Sequence, residues 1–244
     1  MKSIVPKISF VIPAYNEAEY LPQTLLTIRR SMVPIKDFDY EIVVCDNNST
    51  DDTYSVAEKY SDRVVHESKQ QIAQARNTGA SHTSGDWLIF LDADTQVNPR
   101  LMLNVASRIR SNRFGAGGSL VEFDLSPLPL IPSIVVQMWN LASYVTGWSA
   151  GSFLVCRKVA WKELDGFSSK YYAGEELDFS QRLIQWSKAR QLKTFTELEH
   201  TIITSSRKIT HYNTFELLSQ FSLLLPGAMM SQKACNFWYQ PRGR

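Results

Sequence analysis

Asp92-Ala93-Asp94 follows five apolar residues, Trp87-Leu88-Ile89-Phe90-Leu91. Two carboxylates one residue apart at the end of such a run either cap a strand in a polar turn, the better reading of the tripeptide alone, or offer oxygen ligands to a hard divalent cation. Mg²⁺ and Mn²⁺ share a nucleotide's phosphates with one or two carboxylates in this way. A second acidic group, Gly174-Glu175-Glu176-Leu177-Asp178, opens a helix-like segment. Negative charge there suits the helix dipole, and one of the three carboxylates could also take the proton of a hydroxyl as general base. Asp46, in Asp46-Asn47-Asn48-Ser49, is either a turn residue or an acceptor for the N–H edge of uracil or guanine. Arg76, in Gln74-Ala75-Arg76-Asn77-Thr78-Gly79, is either paired on a helix or set against a nucleobase. Arg207, in Thr204-Ser205-Ser206-Arg207-Lys208, is either surface charge or a diphosphate clamp, since its fork pairs well with phosphate oxygens. In Ile12-Pro13-Ala14-Tyr15-Asn16-Glu17 a strand turns toward a helix. Pro13 and Ala14 expose backbone there, while Tyr15 and Glu17 offer a stacking face and a ribose acceptor.

What is missing narrows the chemistry. The chain has no G-x-x-x-x-G-K and no strand followed by G-x-G-x-x-G, so it reads neither as a P-loop ATPase nor as a Rossmann dehydrogenase. A diphosphate must be neutralised by other means, and Asp94 with a metal is the obvious one. Four histidines form no zinc spacing. A net charge of +2 with no basic run argues against nucleic acid. Three scattered cysteines suggest a reducing compartment. No signal-peptide core is evident. Leu128 to Tyr144 and Phe221 to Met230 are interrupted short of the roughly 18 apolar residues of a spanning helix. Both read as buried helices or loops, with room for a peripheral membrane contact. A cytoplasmic protein is the expectation, with a peripheral position on the inner face of the membrane as its variant.

Elements must hold these residues together. Strands are predicted at Ile8–Ile12, Tyr40–Cys45, Val64–His66 and Trp87–Leu91, and helices at Leu21–Arg30, Thr53–Tyr60, Gln71–Ser81 and Asn98–Ser111. Ser49-Thr50-Asp51-Asp52 has the S-x-x-D form of a helix start. This alternation predicts an α/β fold with a mostly parallel sheet and helices on both faces. Ligands then gather at the carboxyl ends of the strands, where Pro13, Asp46, Asp92 and Asp94 fall. After Gly115, Gly117-Gly118 and three prolines predict a long excursion. A strand at Phe153–Cys156 and helices at Lys158–Leu164 and Glu176–Trp186 follow.

Four blocks stand in a familiar order. They are Val11–Glu17, Ile42–Asp51, Ala75–Gly79 leading to Leu91–Asp94, and Gly166-Phe167 followed by Gly174–Asp178. From about Ile8 to Arg207 the chain resembles family 2 glycosyltransferases of the GT-A fold, with a Rossmann-like, mostly parallel central sheet. The resemblance implies a UDP- or GDP-sugar donor, a divalent cation and inverting transfer, by direct displacement, to an acceptor hydroxyl. Residues 1–244 then form one domain: about 1–114 for the nucleotide sugar, about 115–210 for the acceptor, and an extension at about 211–244. Pro13, Ala14, Tyr15 and Glu17 would line the nucleoside pocket, and Asp46 would read the base with Arg76 beside it. Asp92 would hold the ribose or metal-bound water, and Asp94 would ligate the metal.

The family usually reads Glu-Asp where this chain has Glu175-Glu176. Glu176 falls on the catalytic position, and Glu175 and Asp178 are its competitors. Where many relatives carry a metal-binding His, this chain has Thr204-Ser205-Ser206-Arg207. The metal is therefore expected to lean on Asp94, phosphates and water, with Arg207 on the diphosphate. A lipid-linked or polysaccharide acceptor is expected, and a homodimer is compatible. A nucleotide-sugar-binding protein without catalysis is the alternative. A sugar-phosphate nucleotidylyltransferase is a poorer one, because Pro13–Glu17 is not the Gly-rich basic loop such enzymes carry.

Overall fold

Runs of Val, Ile, Leu and Phe without intervening charge make strands that are buried on both faces. The computed structural model describes residues 6–125, 127–207 and residue 230. Its first four strands are of this kind or lie beside one: β1 (Lys7–Ala14), β2 (Asp39–Asp46), β3 (Arg63–His66) and β4 (Trp87–Leu91). The remaining strands are β5 (Thr95–Gln96), β6 (Phe114–Phe123), β7 (Phe153–Arg157) and β8 (Lys193–Thr204). The helices are α1 (Leu21–Met32), α2 (Thr53–Tyr60), α3 (Ile72–Ser81), α4 (Pro99–Arg110), α5 (Leu130–Thr146), α6 (Lys158–Glu163) and α7 (Glu175–Ala189).

All eight strands join one sheet in the order β3-β2-β1-β4-β7-β6-β8-β5. β1, β2, β3 and β4 run parallel, and β7 lies antiparallel to β4. The chain moves outward from β1 to β3 and then returns to β4, so the order reverses at β1. Such a reversal opens a crevice at the carboxyl ends, here at Ala14, Asp46 and Leu91.

Successive strand residues point to opposite faces, and each face has its own core. Phe10 and Ile12 of β1 join Leu21, Leu25 and Ile28 of α1 and Leu101, Met102 and Val105 of α4. Val11, between them in sequence, joins Ala73 and Ala80 of α3 and Phe179, Leu183 and Trp186 of α7. Phe90 of β4 meets Phe167 edge-on with ring centroids 4.8 Å apart, an arrangement that adds to burial alone. Helices thus cover both faces of a mostly parallel sheet, as expected.

Three expectations change. The glycines after Phe114 do not open an excursion; they lie within β6. A Cβ at Gly117 would stand 2.4 Å from the Phe195 ring, and one at Gly118 would stand 2.5 Å from Ser149 Oγ. Close packing, not turning, is what they permit. Next, α5 is not a buried helix. Leu130, Met138 and Val145 are 76%, 64% and 72% exposed, although Trp139 packs on the core. Finally, Ser49 does not cap α2; the Asp51 carboxylate instead accepts the Thr53 N–H at 3.0 Å. Among the described residues no helix is long and apolar enough to cross a membrane. Phe221 to Met230, apart from Met230, lies outside the described residues, as does the extension at 211–244 apart from that residue.

Candidate active site

The first wall is the β1 exit. Asn16 takes a left-handed conformation (φ 54°), which asparagine tolerates better than most residues. Its N–H donates to Ser49 Oγ at 3.0 Å, and its Oδ1 accepts the Thr50 N–H at 2.8 Å. The Glu17 N–H donates to Thr53 Oγ1 at 2.7 Å. The loops after β1 and β2 are thereby tied together. Pro13 and Ala14 stay buried, while Tyr15 and Glu17 are half-buried.

Asp46 ends β2 in register with Ala14 and His66. Its Oδ2 lies 3.2 Å from His66 Nδ1 and accepts the Ser49 N–H at 3.4 Å. Its Oδ1 is buried with no hydrogen-bond partner among the described residues. A buried acceptor left open is costly in a folded protein, and a ligand N–H would satisfy it.

Asp92 and Asp94 follow the last residue of β4, and each meets an arginine. Asp92 Oδ1 accepts from Arg76 Nη2 at 3.0 Å. Asp94 Oδ2 accepts from Arg207 Nη2 at 3.2 Å, and the same nitrogen donates to Glu17. The Arg207 guanidinium lies 4.4 Å above the Tyr20 ring. Glu17, Asp94 and Arg207, expected at one site from three distant segments, are in contact in the fold.

Arg76 is only 2% exposed. Its Nη1 donates to Glu175, its Nη2 donates also to the Gly151 carbonyl at 3.0 Å, and its guanidinium lies 5.3 Å from the Phe167 ring. Of the two expectations for Arg76 these contacts match the paired one, and no described hydrogen bond links it to Asp46. Arg76 joins the end of β4 to the start of α7 instead.

The α7 start is acidic. Gly174 caps it with φ 74°, a conformation glycine adopts without strain. Glu175 is buried, while Glu176 keeps some exposure and forms no ion pair among the described residues. Burial drives the Glu175 carboxyl well above the ordinary carboxylate range, and the neighbouring Glu176 pushes the same way against the pull of Arg76. Burial raises Glu176 as well, again opposed by Arg76. One cation among Glu175, Glu176 and Asp92 leaves an excess of negative charge, and retaining a proton relieves it. Asp178 sits differently. Its Oδ2 accepts from Arg182 Nε at 2.9 Å, and Arg182 is anchored on the Leu164 and Gly166 carbonyls. This one-turn helix pair weakens its standing as the base.

Two residues of the α3 region were not singled out from sequence. Gln71 donates through Nε2 to the Ser169 and Tyr171 carbonyls at 2.7 and 2.9 Å, and its N–H donates to Asn47 Oδ1. Asn77 donates to the Phe167 carbonyl at 2.8 Å and accepts the Phe167 N–H at 2.9 Å. With Arg76 they fasten the nucleotide half to residues 167–175. The only available signal was that these polar side chains stand among small residues on a helix packed against strands.

The donors near Asp92 and Asp94 are oxygens, which suit Mg²⁺ or Mn²⁺. Among the described residues no three His, Cys, Asp or Glu side chains group as a metal site. By donor type the two carboxylates suit such a cation, which would need further ligands from a phosphorylated substrate and would compete with the arginine now paired with each.

Residues 9–146 match the model of the family described as glycosyl transferase family 2. Validoxylamine A glucosyltransferase of Streptomyces hygroscopicus subsp. jinggangensis is 38% identical over 109 residues, 42% of this chain and 25% of that one. The chain spans less than half the length of the curated relatives it matches. Mannosyltransferase PcManGT from Pyrobaculum calidifontis, solved with GDP-Man and Mn²⁺, superposes with a TM-score of 0.67 at 16% identity, over 99% of this chain and 67% of that one. TarS 1–349 of S. aureus, solved with UDP-GlcNAc, gives 0.63 at 18% identity over 82% and 58%. At such identities the likeness establishes the GT-A fold.

Proposed function

This chain belongs to glycosyl transferase family 2, and from that premise we propose that it transfers a sugar from a UDP- or GDP-sugar to an acceptor hydroxyl with inversion. The observation that carries the reading is the placing of Asp46 at the end of β2, and of Asp92 and Asp94 just after β4, at the carboxyl ends of parallel strands, with Glu175 joined to Asp92 through Arg76. Each residue then has a task. Asp46 Oδ1 accepts a base N–H, and Tyr15 and Glu17 line the nucleoside pocket with Pro13 and Ala14. Arg207 pairs with the diphosphate in exchange for part of its contact with Glu17 and Asp94.

Asp94, with Asp92, would hold a divalent cation. When bound, such an ion supplies Lewis-acid stabilisation of the departing diphosphate. Glu176 takes the proton of the acceptor hydroxyl. The acceptor oxygen forms a bond to the anomeric carbon as the bond from that carbon to the diphosphate oxygen breaks, and the nucleoside diphosphate leaves. Its raised proton affinity suits Glu176 to this task, because a base works best with a pKa near the operating pH. The acceptor we favour is lipid-linked, since α5 of the acceptor half presents an uncharged apolar face; a polysaccharide is the other candidate.

A thermal-shift series with UDP- and GDP-sugars, with and without Mn²⁺, tests the assignment. Ligands that bind the folded state raise its melting temperature. A metal-dependent rise for one nucleotide class, lost in Asp94→Ala and accompanied by slow donor turnover, is expected. No rise with any nucleotide sugar overturns the reading.

A further inference from the structure

Arg76 connects two acidic groups that the chain supplies from opposite halves. One Nη donates to Glu175 at the start of α7, and the other donates to Asp92 at the end of β4 and to the Gly151 carbonyl. The side chain is 2% exposed and packs near Phe167. Within the proposed function, on which this step rests, Asp92 faces the donor and the first turn of α7 faces the acceptor. We infer that Arg76 is a positioning residue that fixes these two acidic groups relative to each other, and that it does not touch the nucleobase.

Three observations support this. First, every described hydrogen bond of the guanidinium goes to the β4 end, the α7 start or Gly151. The base-side acceptor Asp46 is instead engaged by His66 and Ser49. Second, the network is unsaturated: Arg76 Nε and Glu175 Oε2 are buried with no hydrogen-bond partner among the described residues. A clamp serving stability alone gains by satisfying such atoms, and their persistence marks a site held for another purpose. Third, the surroundings are cut to fit. A Cβ at Gly151 would stand 2.6 Å from Arg76 Nη2, so only glycine leaves the guanidinium where it is.

The consequence is energetic coupling. The hold of Arg76 on Glu175 limits how fully it neutralises Asp92, and a metal-bound nucleotide at Asp92 alters the pull on α7. Lysine keeps the charge but has no planar fork with which to bridge two carboxylates. In calorimetric titrations, Arg76→Lys should therefore weaken UDP or GDP binding in Mn²⁺ by about fivefold or more, the low end of ordinary coupling. The nucleotide is whichever one stabilises the wild type. The matching nucleoside, which lacks phosphates, should bind the variant within about twofold of wild type. In an Asp92→Asn background the same replacement should have little further effect, as a shared pathway requires.

Equal losses for nucleoside and nucleotide would place Arg76 against the base and overturn the inference. So would a full effect persisting beside Asp92→Asn. Gly151→Ala provides a second route if Arg76→Lys does not fold, since it displaces the guanidinium without removing it. The same split between nucleotide and nucleoside is expected there, and its absence counts against the inference. A wild type that binds neither UDP nor GDP fails the glycosyltransferase reading itself, and the inference with it.

Discussion

Arg76 and Arg207 do similar things in unlike places. Each bridges two carboxylates from separate segments, Asp92 and Glu175 for the first, Glu17 and Asp94 for the second. Arg76 lies under the crevice at 2% exposure, and Arg207 stands at its mouth with a fifth of its side chain open to solvent (21%). Burial turns the same pairing to different ends. An ion pair inside a protein cannot lose a partner without stranding a charge, whereas a partly open one can exchange partners. The inner arginine is therefore a fixture, and the outer one, in the function proposed above, exchanges a carboxylate partner for a phosphate.

Breaking the fixture should have the largest effect. Arg76→Leu removes the one cation set among Glu175, Glu176 and Asp92 and should cost about 3–5 kcal/mol of stability, read by urea denaturation. Glu176→Gln tests the chemistry beside that fixture. Turnover should fall by a factor of about 10² to 10⁴, the usual share of a general base, while nucleotide affinity holds. Equal losses in both would move the base elsewhere.

Arg207→Ala isolates the outer pairing. Donor affinity should fall about tenfold, near 1.4 kcal/mol, and the melting temperature should fall less than in Arg76→Leu. A large loss of stability instead would make the two arginines alike and undo the contrast. A pH series separates the groups further. Glu176 is active as a base only when deprotonated, and its pKa is raised. Turnover should therefore fall on acidification while still above the ordinary carboxylate range, a limb that Glu176→Gln abolishes. Asp178→Asn should do least. It removes a helix pair worth about 0.3–0.5 kcal/mol and leaves turnover intact.

Much of this arrangement was legible in the chain, for reasons that differ by region. β1, β2 and β4 announced themselves because double-sided burial demands unbroken apolar runs, and the carboxylates after β2 and β4 followed from where an α/β sheet collects ligands. β6 reads as the start of an excursion because its glycines signal a turn as readily as a close approach, and only Phe195 and Ser149 decide between them. β8 alternates imperfectly and pairs with β6 through two register shifts, so its period is blurred. The exposure of α5 could not be read, since an apolar helix looks the same whether covered or bare. At the site, the acids were visible as types, but the partner of Arg76 was not. Glu175 lies 99 residues away, and no local pattern links the two.

The antiparallel pairing of β4 with β7 also bears on how the chain is made. β4 is apolar on both faces, and its second edge is covered only when Phe153–Arg157 arrives. A chain cut short, or still emerging, before Phe153 carries β4 as an open, flat, hydrophobic edge. Such edges template aggregation. Expression of the first 150 residues alone should accordingly give insoluble material, and the shortest fragment worth producing is one that reaches past Arg157.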